Sequence, residues 1–201
     1  MLSTTIVGCR TERRSGVASV TEVAWTTLST RTAYENPWIR VREHQILHPD
    51  GREGVYGVVE LEPSAFVVAL DEDDRVLLVD IDRFTVGQSL EVPAGGGDGQ
   101  EPLAAAQREL REETGFEASE WTPLGSLNAL NGVAVALKNV FLARGLTSVT
   151  DPRDDQLEEG ITDVRFVPFA EVIAMMADGR ITDNETVAAV SLAAIRLGRF
   201  A

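Results

Sequence analysis

Three glutamates in one short stretch of the sequence have the spacing to hold a divalent metal ion together. Glu109 and Glu113 are four residues apart and Glu112 is three from Glu109, so their side chains lie close together on a helix. Like charges at this spacing destabilise a bare helix, and a hard cation such as Mg²⁺ or Mn²⁺ removes that penalty. The alternative is an acidic, solvated helix face, which for a glutamate pair alone is the better explanation.

A glycine-rich loop and a helix surround these glutamates. The loop spans residues 94–101 and follows a strand-like stretch at 90–92. Pro102 suits the first helical turn and Gly115 suits the left-handed residue after the last one, which predicts a helix over 102–114. By helical spacing, its predicted buried face consists of Leu103, Ala106, Leu110 and Thr114.

The stretch 108–116 resembles the second half of the signature box of the Nudix hydrolases. The family pattern there is arginine and glutamate, an aliphatic residue, any residue, two glutamates, any residue, glycine and an aliphatic residue. This chain reads Arg-Glu-Leu-Arg-Glu-Glu-Thr-Gly-Phe, with Phe116 in place of the last aliphatic. A nine-residue agreement of this kind is specific, and the glycine loop and helix agree with it.

The first half of the box departs from the family pattern. Counted back from Arg108, the family's first glutamate falls on Gln100 and its first glycine falls on Ala94. One residue deleted from the helix start would restore both, as Gly95 and Glu101. In the family this glutamate usually braces the loop, so the resemblance implies structural roles in the box for three residues: Gln100, Arg108 and Gly115.

The resemblance implies attack by water on a diphosphate linkage, with Mg²⁺, or alternatively Mn²⁺, as cofactor. It makes Glu109 and Glu113 the principal metal ligands and Glu112 a further ligand or supporting catalytic group. In ADP-ribose-type relatives the backbone carbonyl matching Ala94 also binds metal. Glycines allow a close backbone approach, which makes Gly95 and Gly96 candidates for contact with the diphosphate; a merely flexible connection is the alternative.

A general base is implied in the loop before the penultimate strand. Many relatives carry a glutamate there, ahead of an isoleucine. Glu158 and Glu159 occupy this place before Ile161, and Glu159 matches better by spacing. Both could equally be solvated loop charges.

Two arginines are candidates for substrate binding. ADP-ribose-type relatives have a Gln-x-Arg motif whose arginine meets the diphosphate, and this chain keeps Arg83 but has Ile81 in place of the glutamine. A guanidinium suits phosphate oxygens, but a surface salt bridge from Arg83 to Asp80 or Asp82 is equally open. Arg40, in the first predicted hairpin, is a further candidate.

Composition narrows the class of protein. The chain has 201 residues, 44% of them hydrophobic, and a formal net charge of -14, which argues against nucleic-acid binding. Cys9 is the single cysteine, so no intrachain disulfide forms. No apolar run reaches the roughly 20 residues needed to span a bilayer, and the first residues lack a signal-peptide pattern. These features predict a soluble cytoplasmic protein that binds neither nucleic acid nor membrane.

The remaining pattern predicts an α+β chain. Residues 1–22 read as a loosely held arm, and residues 23–201 as a single domain. Strands are predicted at 38–47, 54–61, 65–70, 75–81, 138–143 and 161–167, with a strand and loop at 121–131, a turn at 48–51 and an ambiguous stretch at 25–34. Residues 150–159 read as a loop, 169–177 as a helix, and 182–185 as the capping box of a last helix. The resemblance implies an α/β/α sandwich with a mixed sheet and an N-terminal β-hairpin.

The leading functional hypothesis is a hydrolase that converts ADP-ribose or an ADP-sugar to AMP and a sugar phosphate. Another nucleotide diphosphate, such as a dinucleotide or coenzyme, is the close alternative. A Nudix-fold ligand sensor without turnover is the alternative from a different class, and Gln100 keeps it open. By resemblance, the N-terminal hairpin implies a homodimer.

Overall fold

The computed structural model describes residues 24–149 and 151–199, so the predicted N-terminal arm and Cys9 lie outside the described residues. The strands are β1 Thr26–Glu35, β2 Ile39–Leu47, β3 Glu53–Leu61, β4 Ser64–Ala69, β5 Arg75–Arg83, β6 Gly87–Glu91, β7 Ala94–Gly96, β8 Phe116–Asn128, β9 Ala134–Val135, β10 Leu137–Ser148 and β11 Ile161–Pro168. The helices are α1 Pro102–Thr114, α2 Arg153–Glu159, α3 Phe169–Asp178 and α4 Asn184–Arg196. None of the described helices has the length and apolarity needed to cross a membrane.

The centre of the fold is a mixed sheet between two layers of helices. Its strand order is β7-β4-β10-β8, with β4 and β10 parallel and the other pairs antiparallel, and β11-β5-β6 forms an antiparallel sheet beside it. Alternate residues of β4 face opposite layers. Phe66 and Val68 belong to the cluster that includes α3 and α4 residues, whereas Ala65 and Val67 pack with α1. The predicted α+β class and α/β/α sandwich are confirmed.

The N-terminal part forms a separate four-stranded sheet of order β1-β2-β3-β9. The predicted turn between β2 and β3 is present, closed by a hydrogen bond from the Gly51 backbone N–H to the His48 carbonyl (2.8 Å). The ambiguous stretch at 25–34 is strand β1, and every residue in it is exposed. The predicted hairpin is therefore confirmed, with β1 added along its outer edge.

The prediction of a loop over 150–159 was wrong for most of that segment. Residues 153–159 form helix α2, with Asp154 and Asp155 in its first turn and Gly160 in the left-handed conformation after its last turn. Acidic residues favour a helix N-terminus and glycine favours this C-terminal position. None of the residues of α2 is buried, so the sequence carries no apolar rhythm that would reveal it.

Two details of helix placement also differ from prediction. Asp183, not Thr182, caps the N-terminus of α4, because its carboxylate accepts the Thr186 backbone N–H at 2.7 Å. On α1, Leu103 is 40% exposed, and the buried residues near the start of the helix are Ala105 and Ala106. These two small side chains let the helix approach the sheet closely, and Leu103 lies outside that contact.

Candidate active site

Helix α1 places two of the three glutamates inside the protein. The helix begins at Pro102, as predicted, and ends at Gly115, whose φ of 72° is left-handed. Its packing against the central sheet leaves Glu109 only 7% exposed and Glu113 only 3% exposed. The predicted solvated alternative therefore does not describe these two side chains, which lie on the inner side of the helix.

The three carboxylates have different neighbours. An oxygen of Glu113 accepts the Ala94 backbone N–H at 2.9 Å. Glu109 accepts a hydrogen bond from Arg108 Nη2 at 2.7 Å, and Glu112 accepts one from Arg108 Nη1 at 2.8 Å. The Glu112 side chain is 44% exposed. Glu109 and Glu113 thus share an interior position, whereas Glu112 lies toward solvent and is held by Arg108.

Burial makes both interior carboxylates costly to ionise. Desolvation raises the pKa of Glu109 to about 7, against the smaller opposing effect of the Arg108 charge. The pKa of Glu113 is raised well above its ordinary value, first by desolvation and then by repulsion from Glu109. A buried carboxylate pair of this kind is stabilised in its ionised form by a nearby cation.

The glycine loop follows the short strand β7 and lies directly against these carboxylates. A Cβ atom built at Gly95 would lie within 2.5 Å of Cδ, Oε1 and Oε2 of Glu109. At Gly96 the nearest atom to such a Cβ is an Asp98 oxygen at 3.9 Å. Position 95 therefore requires glycine, because a side chain there would occupy the space of the Glu109 carboxylate; at Gly97 a Cβ would lie 2.9 Å from the Pro63 carbonyl oxygen.

Arg108 joins the loop to the helix. Its Nη2 donates to the Gly96 carbonyl at 2.7 Å, and its Nε lies 3.4 Å from the Gln100 side-chain oxygen. Glu101 is exposed and precedes the helix without a side-chain capping bond. Gln100 thus takes the bracing position beside Arg108.

Arg83 lines a cleft together with Ala94, Gly95 and Gly96 of the glycine loop. It makes a two-point ion pair with Glu91, with distances of 3.1 and 2.7 Å. This pairing raises the pKa of Arg83, and the Glu113 charge adds to the effect. Asp80 bonds Arg165 instead, so the salt-bridge partner of Arg83 is a buried glutamate that the sequence analysis did not single out.

A cleft of about 530 Å³ opens beside the glycine loop. Its walls include residues from β4, β5, β6, β7, β10 and the start of α4: Ser64, Arg83, Glu91, Gly96, Lys138 and Glu185. Four of these were missed by the sequence analysis: Ser64, Glu91, Lys138 and Glu185. For Lys138 the sequence did offer a signal, because it is the only lysine of the chain.

The two candidate general bases lie at the end of α2. The negative charge of Glu159 contributes to raising the pKa of both Glu109 and Glu113, which places it near them. Glu158 is exposed and makes no such contribution. Helix α2 is tied to α1 by a hydrogen bond from Gln156 Nε2 to the Glu113 carbonyl at 2.8 Å.

Comparison with protein-family models decides the family. The model described as the NUDIX domain matches residues 60–190, well over half of the chain. The chain belongs to the Nudix hydrolase family. A second model, described as the nucleoside diphosphate sugar hydrolase N-terminal domain, matches residues 25–59, which form β1, β2 and most of β3.

Similar proteins include enzymes acting on nucleotide sugars. The chain is 33% identical over 167 residues to the ADP-ribose pyrophosphatase of Mycobacterium tuberculosis, covering 82% of this chain and 80% of that protein. It is 27% identical to the ADP-ribose pyrophosphatase of Bacillus subtilis, covering 71% and 77% respectively. A crystal structure of an ADP compounds hydrolase shares the fold, with a TM-score of 0.75 and 22% identity over 87% of this chain and 96% of that one.

Nudix hydrolases generally use a divalent metal, usually Mg²⁺, and the side chains of this chain fit one. Among the residues that the structure describes, no three His, Cys, Asp or Glu side chains converge into a complete metal cage. Two buried carboxylates with raised pKa values do lie against the glycine loop, Glu113 at the backbone of Ala94 and Glu109 at Gly95. Mg²⁺ is commonly held by one or two carboxylates together with substrate phosphates and water, which is the donor set this Nudix site offers.

Arg40 does not lie beside Glu109 and Glu113 in this Nudix hydrolase. It is on β2, in the N-terminal sheet, where it forms ion pairs with Glu35 and Glu60. With Trp38 and Pro63 it lines a different groove of about 470 Å³. Within one chain the structure does not bring Arg40 together with Arg83 and the glutamates, so its role as a substrate contact is not supported by proximity.

Proposed function

We propose that this Nudix hydrolase cleaves the diphosphate of ADP-ribose or another ADP-sugar, releasing AMP and a sugar phosphate, with Mg²⁺ as cofactor. The observation that carries the proposal is the pair of buried carboxylates, Glu109 and Glu113, packed against the glycine loop that lines a cleft together with Arg83. Support for the substrate class comes from the names of the similar pyrophosphatases and from the N-terminal match to a nucleoside diphosphate sugar hydrolase domain.

In the proposed mechanism the residues of the chain hold and orient the diphosphate. Glu109, Glu113 and the Ala94 carbonyl would hold the metal, which supplies positive charge to the phosphoryl oxygens and acidifies water. Gly95 leaves room for the Glu109 carboxylate, and the Gly96 backbone borders the cleft.

Two further residues complete the proposed reaction. Arg83 is positioned by Glu91 and presents a planar set of donors to phosphate oxygens. Glu159 is the proposed general base, because its charge reaches both Glu109 and Glu113 and its exposed carboxylate is free to accept a proton from water.

Product analysis tests the proposed function directly. Purified protein is incubated with ADP-ribose and Mg²⁺, and the products are separated by ion-exchange chromatography. AMP and ribose 5-phosphate are expected in equal amounts, and no product is expected in EDTA. ADP-glucose, GDP-mannose, a dinucleotide and coenzyme A are run in parallel. Absence of cleavage of ADP-ribose and ADP-glucose, with cleavage of one of the others, would overturn the ADP-sugar assignment.

One observation favours a second candidate, a Nudix-fold ligand sensor without turnover. Gln100 replaces the glutamate of the family box, and its contact to Arg108 is long, at 3.4 Å. A neutral amide braces Arg108 less strongly than a carboxylate would. Tight binding of ADP-ribose in the presence of Mg²⁺, with no product from any substrate of the panel, would establish the sensor in place of the hydrolase.

A homodimer formed through the N-terminal sheet is also part of the proposal. Strand β1 is exposed along its whole length, and large apolar side chains on it and just before it are each more than half exposed: Trp25, Leu28 and Tyr34. Exposed apolar surface of this kind is typical of interaction sites. Light scattering is expected to give about twice the 21.8 kDa chain mass, and Leu28→Asp is expected to shift it toward the monomer. A monomeric mass for the parent would contradict the proposal.

A further inference from the structure

Lys138 occupies the wall of the cleft next to the glycine loop. On the central sheet Lys138 is paired with Ser64, and Ser64 is paired with Gly96. Because neighbouring strands are about 4.8 Å apart, the backbones of Lys138 and Gly96 are separated by about 10 Å. The lysine side chain therefore shares one cleft with the loop that borders the carboxylates, but lies one strand beyond it.

The Lys138 ammonium has donors to spare. It donates to the Ser64 hydroxyl at 3.0 Å and lies 5.6 Å from the centre of the Phe66 ring. Within residues 24–149 and 151–199 it has no carboxylate oxygen within 4.0 Å. An ammonium carries three donors, so two are left for a ligand. The arginines nearby differ, because Arg83 and Arg108 are both engaged by carboxylates.

Acceptors lie on the facing wall, at the start of α4. Glu185 lines the same cleft as Lys138. Burial and the neighbouring Asp183 raise the pKa of Glu185, and the Lys138 charge opposes this change. Lys138 and Ser64 on one side and Asp183 and Glu185 on the other form one corner of the cleft. This corner offers hydrogen-bond donors on the first side and carboxylate acceptors on the second, with no direct ion pair between Lys138 and Glu185.

This arrangement favours sugar hydroxyls over the other parts of a nucleotide sugar. Each hydroxyl is both a donor and an acceptor, and the corner supplies a partner for each role. A phosphate would meet two carboxylates, Asp183 and Glu185, against one ammonium. A base would need an open aromatic face, and the Phe66 ring is only 9% exposed and is faced by Lys138.

We propose that Lys138, Ser64 and Glu185 form the subsite for the hydroxyl groups of the sugar on the non-nucleotide side of the diphosphate. This inference rests on the proposed cleavage of a nucleotide sugar and adds the residues that select the sugar. The Lys138 ammonium and the Ser64 hydroxyl donate to the sugar oxygens, and the Glu185 carboxylate accepts from the sugar hydroxyls. These residues determine specificity and take no part in bond cleavage.

The test compares two substrates that differ only in the sugar. ADP-ribose is measured against the P²-methyl ester of ADP, which keeps the diphosphate and replaces the sugar by a methyl group. Lys138→Met is expected to raise KM for ADP-ribose about 10- to 100-fold, the effect of one lost charge-assisted hydrogen bond, and to leave KM for the methyl ester within about twofold. Glu185→Gln is expected to give the same selective loss to a smaller extent.

Controls separate this inference from the proposed function. Arg196→Met removes one positive charge from an exposed position on α4 and is expected to behave as the parent. Circular dichroism and Tm establish that each variant is folded. Equal effects of Lys138→Met on both substrates, or no effect on either, would overturn the sugar subsite alone. Failure of the parent to release AMP from both substrates would overturn the proposed function and the subsite with it.

Discussion

Replacement of Glu113 by glutamine is expected to lower kcat for ADP-ribose by about 10³-fold while the protein remains folded. Glu113 is almost completely buried and accepts a backbone hydrogen bond from Ala94, and an amide oxygen can keep that bond. The amide does not carry the negative charge that holds the metal, and the loss of the metal's electrostatic effect is worth about 4 kcal/mol of transition-state stabilisation. Steady-state kinetics with varied Mg²⁺ provide the measurement.

Stability measurements give a second readout of the same substitution. Folding raises the pKa of Glu113, so the folded chain holds the carboxyl proton more tightly than the unfolded chain. Stability is therefore lost as the pH rises above the ordinary carboxyl pKa of 4.5. At pH 8 in EDTA we expect Glu113→Gln to be at least as stable as the parent. Added Mg²⁺ is expected to raise the Tm of the parent and not that of the variant.

An exposed acid provides the control for this prediction. Glu117, just beyond the end of α1, is exposed, and Glu117→Gln is expected to keep both the parent kcat and the Mg²⁺-induced rise in Tm. Parent-like turnover and an unchanged Mg²⁺ response in Glu113→Gln would show that this carboxylate does not hold the metal.

Two glutamates at the end of α2, Glu158 and Glu159, allow metal binding to be distinguished from proton transfer. The measurements are again kcat and the Mg²⁺-induced rise in Tm. Glu159→Gln is expected to lower kcat by about 10²- to 10⁴-fold, the usual contribution of a general base, and to retain the Mg²⁺-induced rise in Tm. Glu158→Gln is the matched control at the adjacent position, with no expected change in either quantity. A larger loss for Glu158→Gln than for Glu159→Gln would reverse the assignment.

The sequence predicted what depends on local spacing. The bounds of α1 follow from Pro102 and Gly115, and the proximity of Glu109 and Glu113 follows from their four-residue separation. The burial of these two glutamates could not be predicted, because it depends on the strands against which the helix packs. Helix α2 was missed for a related reason, since it contacts the protein too little to need an apolar face.

The far wall of the cleft depends on pairings between distant parts of the chain. Lys138 and Ser64 are 74 residues apart in sequence and meet because β10 and β4 are parallel neighbours. Glu91 pairs with Arg83 because β6 folds back on β5. A single sequence records the residue types at these positions but not the strand order, so the glycine loop and the carboxylates were found and their partners across the cleft were not.

Substitution of Gly95 by alanine is expected to lower kcat by about 10²-fold with little change in overall fold. The added methyl group would overlap the carboxylate of Glu109, with all three of its terminal atoms within 2.5 Å. The φ angle of Gly95 is not positive, so alanine at this position introduces crowding without backbone strain. The carboxylate must move, and a displacement of about 1 Å at a catalytic group costs about 10²-fold in rate. Steady-state kinetics and the Mg²⁺-induced change in Tm measure the two consequences.

The neighbouring glycine and a double substitution show whether Glu109 transmits this effect. At Gly96 the added methyl group has its nearest neighbour at 3.9 Å, so Gly96→Ala is expected to lose several-fold less activity than Gly95→Ala. In a background that already carries Glu109→Gln, Gly95→Ala is expected to cause little further loss, because both changes act through one carboxylate. Fully additive losses would contradict this, and would mean that Gly95 serves the reaction through its backbone alone and not by leaving space for Glu109.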